Sequence, residues 1–297
     1  MAAFFIYLLK ITNTHDKIFI RKKGFYRMKR VSFLKWAGSK GNAIDSLLTH
    51  IPREGQVWVE PFAGSGTAAL NVDYERYVIS DINQDLINLM QWVVKNPKAV
   101  ITAVKPFFTG EFNNKKAFHA LRDRYNQSND PQERATLLLY LNRHCFNGLM
   151  RYNLSGYYNT SFGDYKSPRV PEEQLYEFSR HFKGRAKFTC RGFEKLKFVR
   201  REGVTAYCDP PYLPISKTAS FASYSKEGFK REQHIGLDKK ARFWAQGCGS
   251  VWISNHAVPA LQECYPSAKE VHSFMVTRTI SQKIDNRKPV EEVLLKY

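Results

Sequence analysis

Val57-Trp58-Val59-Glu60-Pro61-Phe62-Ala63-Gly64-Ser65-Gly66-Thr67 reads as a short buried strand, a glycine-rich turn and the start of a helix at Thr67. With Ala69, the spacing of Gly64 and Gly66 fits G-x-G-x-x-A, in which glycine lets the backbone turn tightly and approach a ligand closely. A second strand, Tyr77–Ser80, ends at Asp81, 21 residues beyond Glu60. Val204–Cys208 predicts a third strand ending at Asp209, Val251–Ser254 a fourth and Glu292–Leu295 a last. Strands alternating with helices predict an α/β fold with a mainly parallel, Rossmann-like sheet. An acid at Asp81 can accept both hydroxyls of a ribose. These features fit a nucleoside site but do not separate a nicotinamide dinucleotide from S-adenosylmethionine, and a plain strand–turn–helix would read the same way.

The second and third strands lie about 120 residues apart, far more than one crossover needs. The interval has its own helical patterns, around Lys115–Tyr125 and Gln132–His144, and then a polar section rich in Tyr, Asn and Gly from Phe146 to Pro168. Residues 84–183 are therefore read as an inserted, mainly helical domain. Residues 29–83 and 184–297 form the sheet domain, and residues 1–28 are an extension that precedes the recognisable pattern.

Asp209-Pro210-Pro211-Tyr212 follows a hydrophobic strand. Two prolines stiffen the loop and remove two backbone donors. The Asp209 carboxylate and the Pro210 carbonyl are acceptors, and Tyr212 is a flat ring beside them. This set suits an amino group on a planar ring, with one acceptor for each N–H. An exocyclic amine is a weak nucleophile because its lone pair is delocalised; acceptors on both N–H bonds localise it. Attack on a sulfonium methyl then requires in-line positioning, and Asp209 can stabilise the positive charge developing on nitrogen. This motif selects S-adenosylmethionine over the dinucleotide.

The chain carries 46 Lys+Arg against 27 Asp+Glu, a net charge of +19. Residues 1–30 hold eight basic residues and one acid, +7, so residues 31–297 still carry +12. Such an excess attracts a polyanion; by itself it does not separate DNA, RNA and an anionic membrane. The five cysteines, Cys145, Cys190, Cys208, Cys248 and Cys264, form no CxxC pair, which argues against a zinc site or a disulfide framework and suits a reducing interior. No metal is expected. The apolar run Ala2–Leu9 lacks the flanks of a signal peptide, and no run reaches the ~18–20 residues of a membrane span.

Taken together, the motifs resemble those of the DNA adenine methylase family of enterobacteria and their phages, the alpha-group D12 class. The likeness runs nearly end to end from Met28. It is carried by Phe33-Leu34-Lys35-Trp36-Ala37-Gly38-Ser39-Lys40, where the family usually has a second Gly at Ser39, and by Glu60-Pro61-Phe62 through Gly66. Ser80-Asp81-Ile82-Asn83, Leu141-Asn142-Arg143, Phe146-Asn147-Gly148-Leu149, Arg151-Tyr152-Asn153, Asp209 to Tyr212 and Ile253-Ser254-Asn255-His256 continue it.

The resemblance implies methyl transfer from S-adenosylmethionine to adenine N6 in double-stranded DNA, at GATC, with the target base flipped out. It implies that Trp36, Lys40, Phe62, Asp81 and Asp209 bind the cofactor, Lys40 through the methionine carboxylate, and that Asp209, Pro210 and Tyr212 form the catalytic group. It further implies a recognition hairpin at residues 146–165. There Phe146 wedges into the vacated stack and Asn147 bonds the orphan base. Leu149 and Arg151 read base edges, while Lys35 and Tyr165 contact the first base pair. The expected setting is the bacterial cytoplasm, on DNA, with no membrane and no obligate protein partner. Three positions depart from the family's usual residues: Phe146 for Tyr, Ser161 for Pro and Asp164 for Arg. Two other readings stand beside this one: an RNA or protein amide methyltransferase, and a non-catalytic DNA-binding relic.

Overall fold

The computed structural model describes residues 19–20, 25–26, 29–215, 229–277 and 289–297. The run Ala2–Leu9 and most of the expected 1–28 extension lie outside the described residues. Residues 1–30 and 31–297 separate as two units. In the first, Phe19–Ile20 pairs antiparallel with Phe25–Tyr26. Everything below concerns the second.

Its centre is a seven-stranded sheet. The strands are β1 (Glu54–Glu60), β2 (Asp73–Asp81), β3 (Ala186–Cys190), β4 (Val204–Cys208), β5 (Ser250–His256), β6 (Glu270–Thr277) and β7 (Pro289–Lys296). They lie in the order β3-β2-β1-β4-β5-β7-β6. The first five are mutually parallel, and β7 runs antiparallel to both β5 and β6. All five residues of β4 are buried, as expected of a central parallel strand covered on both faces. Alternate side chains feed two apolar clusters. Trp58, Tyr77, Tyr207 and Trp252 face one, while Val59, Ala206, Val251 and Ile253 face the other, the period-two geometry of a strand. This is a Rossmann-like sheet. The strand order reverses at β1, which places a topological switch point between β1 and β4, where open α/β sheets bind ligands beyond the carboxyl ends of the strands.

The helices are α1 (Ile44–Leu47), α2 (Thr67–Leu70), α3 (Gln84–Lys95), α4 (Pro97–Val104), α5 (Lys115–Gln127), α6 (Pro131–His144), α7 (Glu172–Phe182), α8 (Arg231–Ala245) and α9 (Leu261–Cys264). Asn83 caps α3 by accepting from Leu86 N, and Asp130 caps α6 with Pro131 at its first turn, the residue types such positions favour. Every residue from Ala135 to Asn142 of α6 is buried, the signature of a helix enclosed on all sides. One apolar cluster runs from Trp58 and Tyr77 of the sheet through Leu86 and Met90 of α3 to Leu137–Leu141 of α6 and Phe178 of α7. The helices of residues 84–183 thus share the core of the sheet's face.

Beyond α6 the chain forms an irregular hairpin. Cys145 bridges Phe162 and Tyr152 bridges Tyr158, both antiparallel, without an extended ladder. Side chains supply much of the remaining pairing. Asn126 of α5 accepts from Tyr158 N at 2.8 Å and donates to Tyr158 O at 3.0 Å, in place of a neighbouring strand.

Candidate active site

The turn after β1 and the loop after β4 meet at the switch point. Gly64 and Gly66 both adopt left-handed backbone, φ +47° and +69°. A Cβ on Gly64 would also lie 2.8 Å from Trp36 Nε1, so the bare glycine lets the indole lie directly on the backbone. Gly64 N donates to Asp81 Oδ2 and Asn83 N to Oδ1, each at 2.9 Å. These donors oppose the burial that raises the Asp81 pKa. Each carboxylate oxygen keeps a lone pair for a further donor. Ser39 bonds Thr67, and Ser65 contacts both hydroxyls, tying the opening motif to the glycine turn. Phe62 packs against Phe193 and Phe229, ring centres 5.5 and 5.7 Å away.

Asp209 is the electrostatic centre. Lys40, only 7% exposed, places Nζ 2.7 Å from Asp209 Oδ2, donates to Gly38 O at 2.9 Å and lies 4.8 Å from the centre of the Tyr212 ring. Asp209 Oδ1 is buried and has no hydrogen-bond partner among the described residues. Burial raises the Asp209 pKa even with Lys40 opposing it. Glu60 lies buried nearby. Its Oε2 accepts from Trp58 Nε1 and Ala69 N, both at 3.0 Å, and burial pushes its pKa up to about 8. The far end of the loop is clamped by β5: Leu213 N donates to Asn255 Oδ1 at 2.9 Å, and His256 Nδ1 lies 2.7 Å from Leu213 O.

The DNA-reading candidates divide in two. Lys35 Nζ sits 3.7 Å over the Tyr165 ring. Tyr165 OH accepts from Asn147 N at 3.0 Å, and a Cβ on Gly148 would collide with Lys35. Lys35, Asn147 and Tyr165 therefore form one group, with Phe146 beside it in sequence and 40% exposed. Burial, then the Arg143 charge, lowers the Lys35 pKa. Leu149 is half-buried, its carbonyl accepting from Thr160 Oγ1 and Tyr158 OH. Arg151 stands apart on the exposed arm, its guanidinium held by Asn159 at 2.9 and 3.0 Å. Asp164 is exposed with φ +50°.

Sequence reading gave no role to Asn142, which clamps the Lys35 backbone from α6, accepting from Lys35 N at 2.9 Å and donating to Lys35 O at 2.6 Å. It also passed over Phe193 and Glu292. Asn142 was visible as part of a motif; the other two sit in stretches without one.

The family model for D12 class N6 adenine-specific DNA methyltransferases matches residues 36–280. The chain belongs to that family. It is 40% identical over 270 residues to the DNA adenine methylase of Serratia marcescens, covering 91% of this chain and 99% of the relative. To the DNA adenine methylase of Escherichia coli strain K12 it is 40% identical over 269 residues, covering 91% and 96%. Among solved structures, an rRNA methylase from Streptococcus thermophilus aligns with a TM-score of 0.33 at 11% identity, over 86% of this chain and 93% of that one, a likeness too slight to add to the topology above. This D12 methyltransferase is an adenine-specific DNA methyltransferase. Among its described residues no helix is long and apolar enough to cross a membrane.

Proposed function

We propose that this methyltransferase flips adenine out of double-stranded DNA at GATC and methylates N6 directly, using S-adenosylmethionine. The observation that carries the reading is the unpartnered, buried Asp209 Oδ1 beside the Tyr212 ring at the switch point. A buried carboxylate oxygen without a donor is costly, and an amino N–H would satisfy it. The resting Lys40 ammonium already occupies a comparable place, bonded to Asp209 and over the Tyr212 ring, so the niche accepts an N–H donor above an aromatic face. The same pocket fits the cofactor. Gly64 leaves room for close approach, Asp81 would take the ribose hydroxyls, and Trp36 and Phe62 would flank the remainder. Lys40 would take the methionine carboxylate once it leaves Asp209. S-adenosylmethionine supplies a sulfonium methyl whose bond to sulfur breaks, the pair leaving with sulfur, as the nitrogen–carbon bond forms. Asp209 and the Pro210 carbonyl would hold the two N–H bonds and aim the lone pair. Asp209 would stabilise the cationic nitrogen, and its raised basicity suits it to receive the released proton.

Residues 84–183 would read the DNA. Phe146 is exposed enough to enter the vacated stack, Asn147 adjoins it, and Arg151 is held by Asn159 in a fixed pose for a base edge. The free cysteines fit a reducing, cytoplasmic setting. Expression in a methylase-free bacterial host, with modified adenines mapped by sequencing, tests the whole reading. Modification confined to GATC is expected; another motif overturns the recognition assignment, and no modified adenine overturns the activity.

A further inference from the structure

Lys35 belongs to the opening motif, yet what fixes it comes from the inserted helices and the hairpin. Asn142 lies in α6, the enclosed helix, and is fully buried. An unsatisfied amide would be costly there. This one is spent mainly on a single residue: Oδ1 accepts from Lys35 N at 2.9 Å, and Nδ2 donates to Lys35 O at 2.6 Å. One side chain thus does for Lys35 what a paired strand would do. Nδ2 also donates to Met150 Sδ at 3.8 Å, between Leu149 and Arg151 of the hairpin. Gly148 closes in on the same residue. It has φ +65°, and a Cβ there would lie 2.3 Å from Lys35 Cβ and 3.0 Å from Lys35 O. The Lys35 main chain is therefore seated against both the α6 amide and the bare Gly148 backbone.

The seat aims an ammonium. Lys35 Nζ lies 3.7 Å over the Tyr165 ring, and no carboxylate among the described residues pairs with it. The Arg143 charge acts against it. Tyr165 is fixed in turn: its OH accepts from Asn147 N at 3.0 Å, and its ring lies so close to Gly163 that a Cβ there would fall 2.5 Å from Cε2. A cation held on an aromatic ring without an anion suits an acceptor brought by a ligand, such as guanine O6 or N7. A lysine stem is long and flexible, so its head is only as well placed as its main chain. A shift of less than ~1 Å is enough to take a hydrogen bond out of range.

We infer that Asn142 is a positioning residue for specificity: by clamping the Lys35 main chain it sets the place of the ammonium over Tyr165, and so the discrimination at the first base pair of the recognition site. The inference rests on the proposed reading of that pair by Lys35 and Tyr165. Trp36, next in the chain, has its own support on Gly64, so the cofactor side should not feel the loss.

The test compares kcat/KM for duplexes carrying GATC with duplexes changed at the first or at the fourth base pair. Wild type should prefer GATC over either change by about tenfold or more, the scale of one good base contact. N142L, which keeps the volume and removes both bonds, should lower the first-pair preference about five- to tenfold. Its fourth-pair preference, and its affinity for S-adenosylmethionine by calorimetry, should stay within about twofold of wild type, the smallest change such a contact would make being larger. K35A should lower the first-pair preference alike, and K35A/N142L no further, because the clamp then positions no ammonium. Circular dichroism checks folding; should N142L misfold, N142A, which leaves room for water to satisfy the Lys35 backbone, takes its place. The inference is overturned if the Asn142 variant keeps the wild-type first-pair preference, if both preferences fall together, or if its loss adds to that of K35A. A first-pair preference that K35A leaves intact would instead overturn the reading of Lys35 on which the inference stands.

Discussion

Glu60 makes the stability of this protein depend on pH in a way that one substitution should remove. The group is buried, 2% exposed, and its pKa is pushed up to about 8 from 4.5, first by burial and then by the Asp209 charge, against the bonds from Trp58 and Ala69. A carboxyl whose pKa is raised on folding contributes stability that is fully present below its unfolded value and is lost as pH climbs through its folded value. From those two values, the wild type should lose roughly 2 kcal/mol between about pH 6 and pH 8 through Glu60 alone. E60Q cannot titrate. Both donors converge on Oε2, so an amide oxygen placed there keeps both bonds and the core is not disturbed. Melting followed by circular dichroism should therefore show E60Q gaining on wild type by roughly 4–8 °C across that interval, at ~2–4 °C per kcal/mol for a chain of this size. Taking the difference between the two proteins cancels histidines and other shared groups. Parallel curves over the whole range would refute the reasoning and imply that Glu60 is ionised in the fold at neutral pH.

Asp209→Ala should reduce methyl transfer by on the order of 10²–10³ or more, the scale for losing one preorganised electrostatic contact; near-normal turnover of tritiated methyl into duplex DNA would remove its assigned role. Gly64→Ala should weaken S-adenosylmethionine binding, measured by calorimetry, by at least tenfold, because left-handed backbone costs a side chain ~1–2 kcal/mol and the new methyl strikes Trp36. Unchanged affinity would place the cofactor elsewhere.

What the sequence disclosed follows burial. Val204–Cys208 was read to the residue because a strand covered on both faces is an unbroken apolar run. β1, β2, β5 and β7 were found but read short at their ends, where polar residues continue the pairing. The strands β3 (Ala-Lys-Phe-Thr-Cys) and β6 (Glu-Val-His-Ser-Phe-Met-Val-Thr) were missed. Both lie at sheet edges and expose part of their length, so neither shows a clean period. The helix from Thr67 exists but lasts only four residues. Trp36 packs partly buried against the core and Gly64, while Lys40, a residue type usually found at the surface, is buried on Asp209. A lysine's burial depends on a carboxylate 169 positions later in the chain, and no local pattern carries that. Glu292 was equally hidden, since its place is set by the antiparallel register of β7.

The site gathers buried carboxyl groups around one lysine. The Asp209 charge helps to keep Glu60 protonated, the Glu292 charge raises the Asp209 pKa in turn, and the Lys40 ammonium opposes both. A protein selected for stability alone would replace such a cluster with apolar side chains, which is often neutral or stabilising. Under the proposed reaction the cluster has a chemical reason: a cationic nitrogen would develop beside Asp209, and a carboxylate fixed in advance would stabilise that charge without reorganising. The same logic would account for the unpartnered Asp209 Oδ1. An acceptor already satisfied within the protein would have to break a bond before it could hold the substrate, whereas one kept open at the expense of the resting fold is ready when the base arrives.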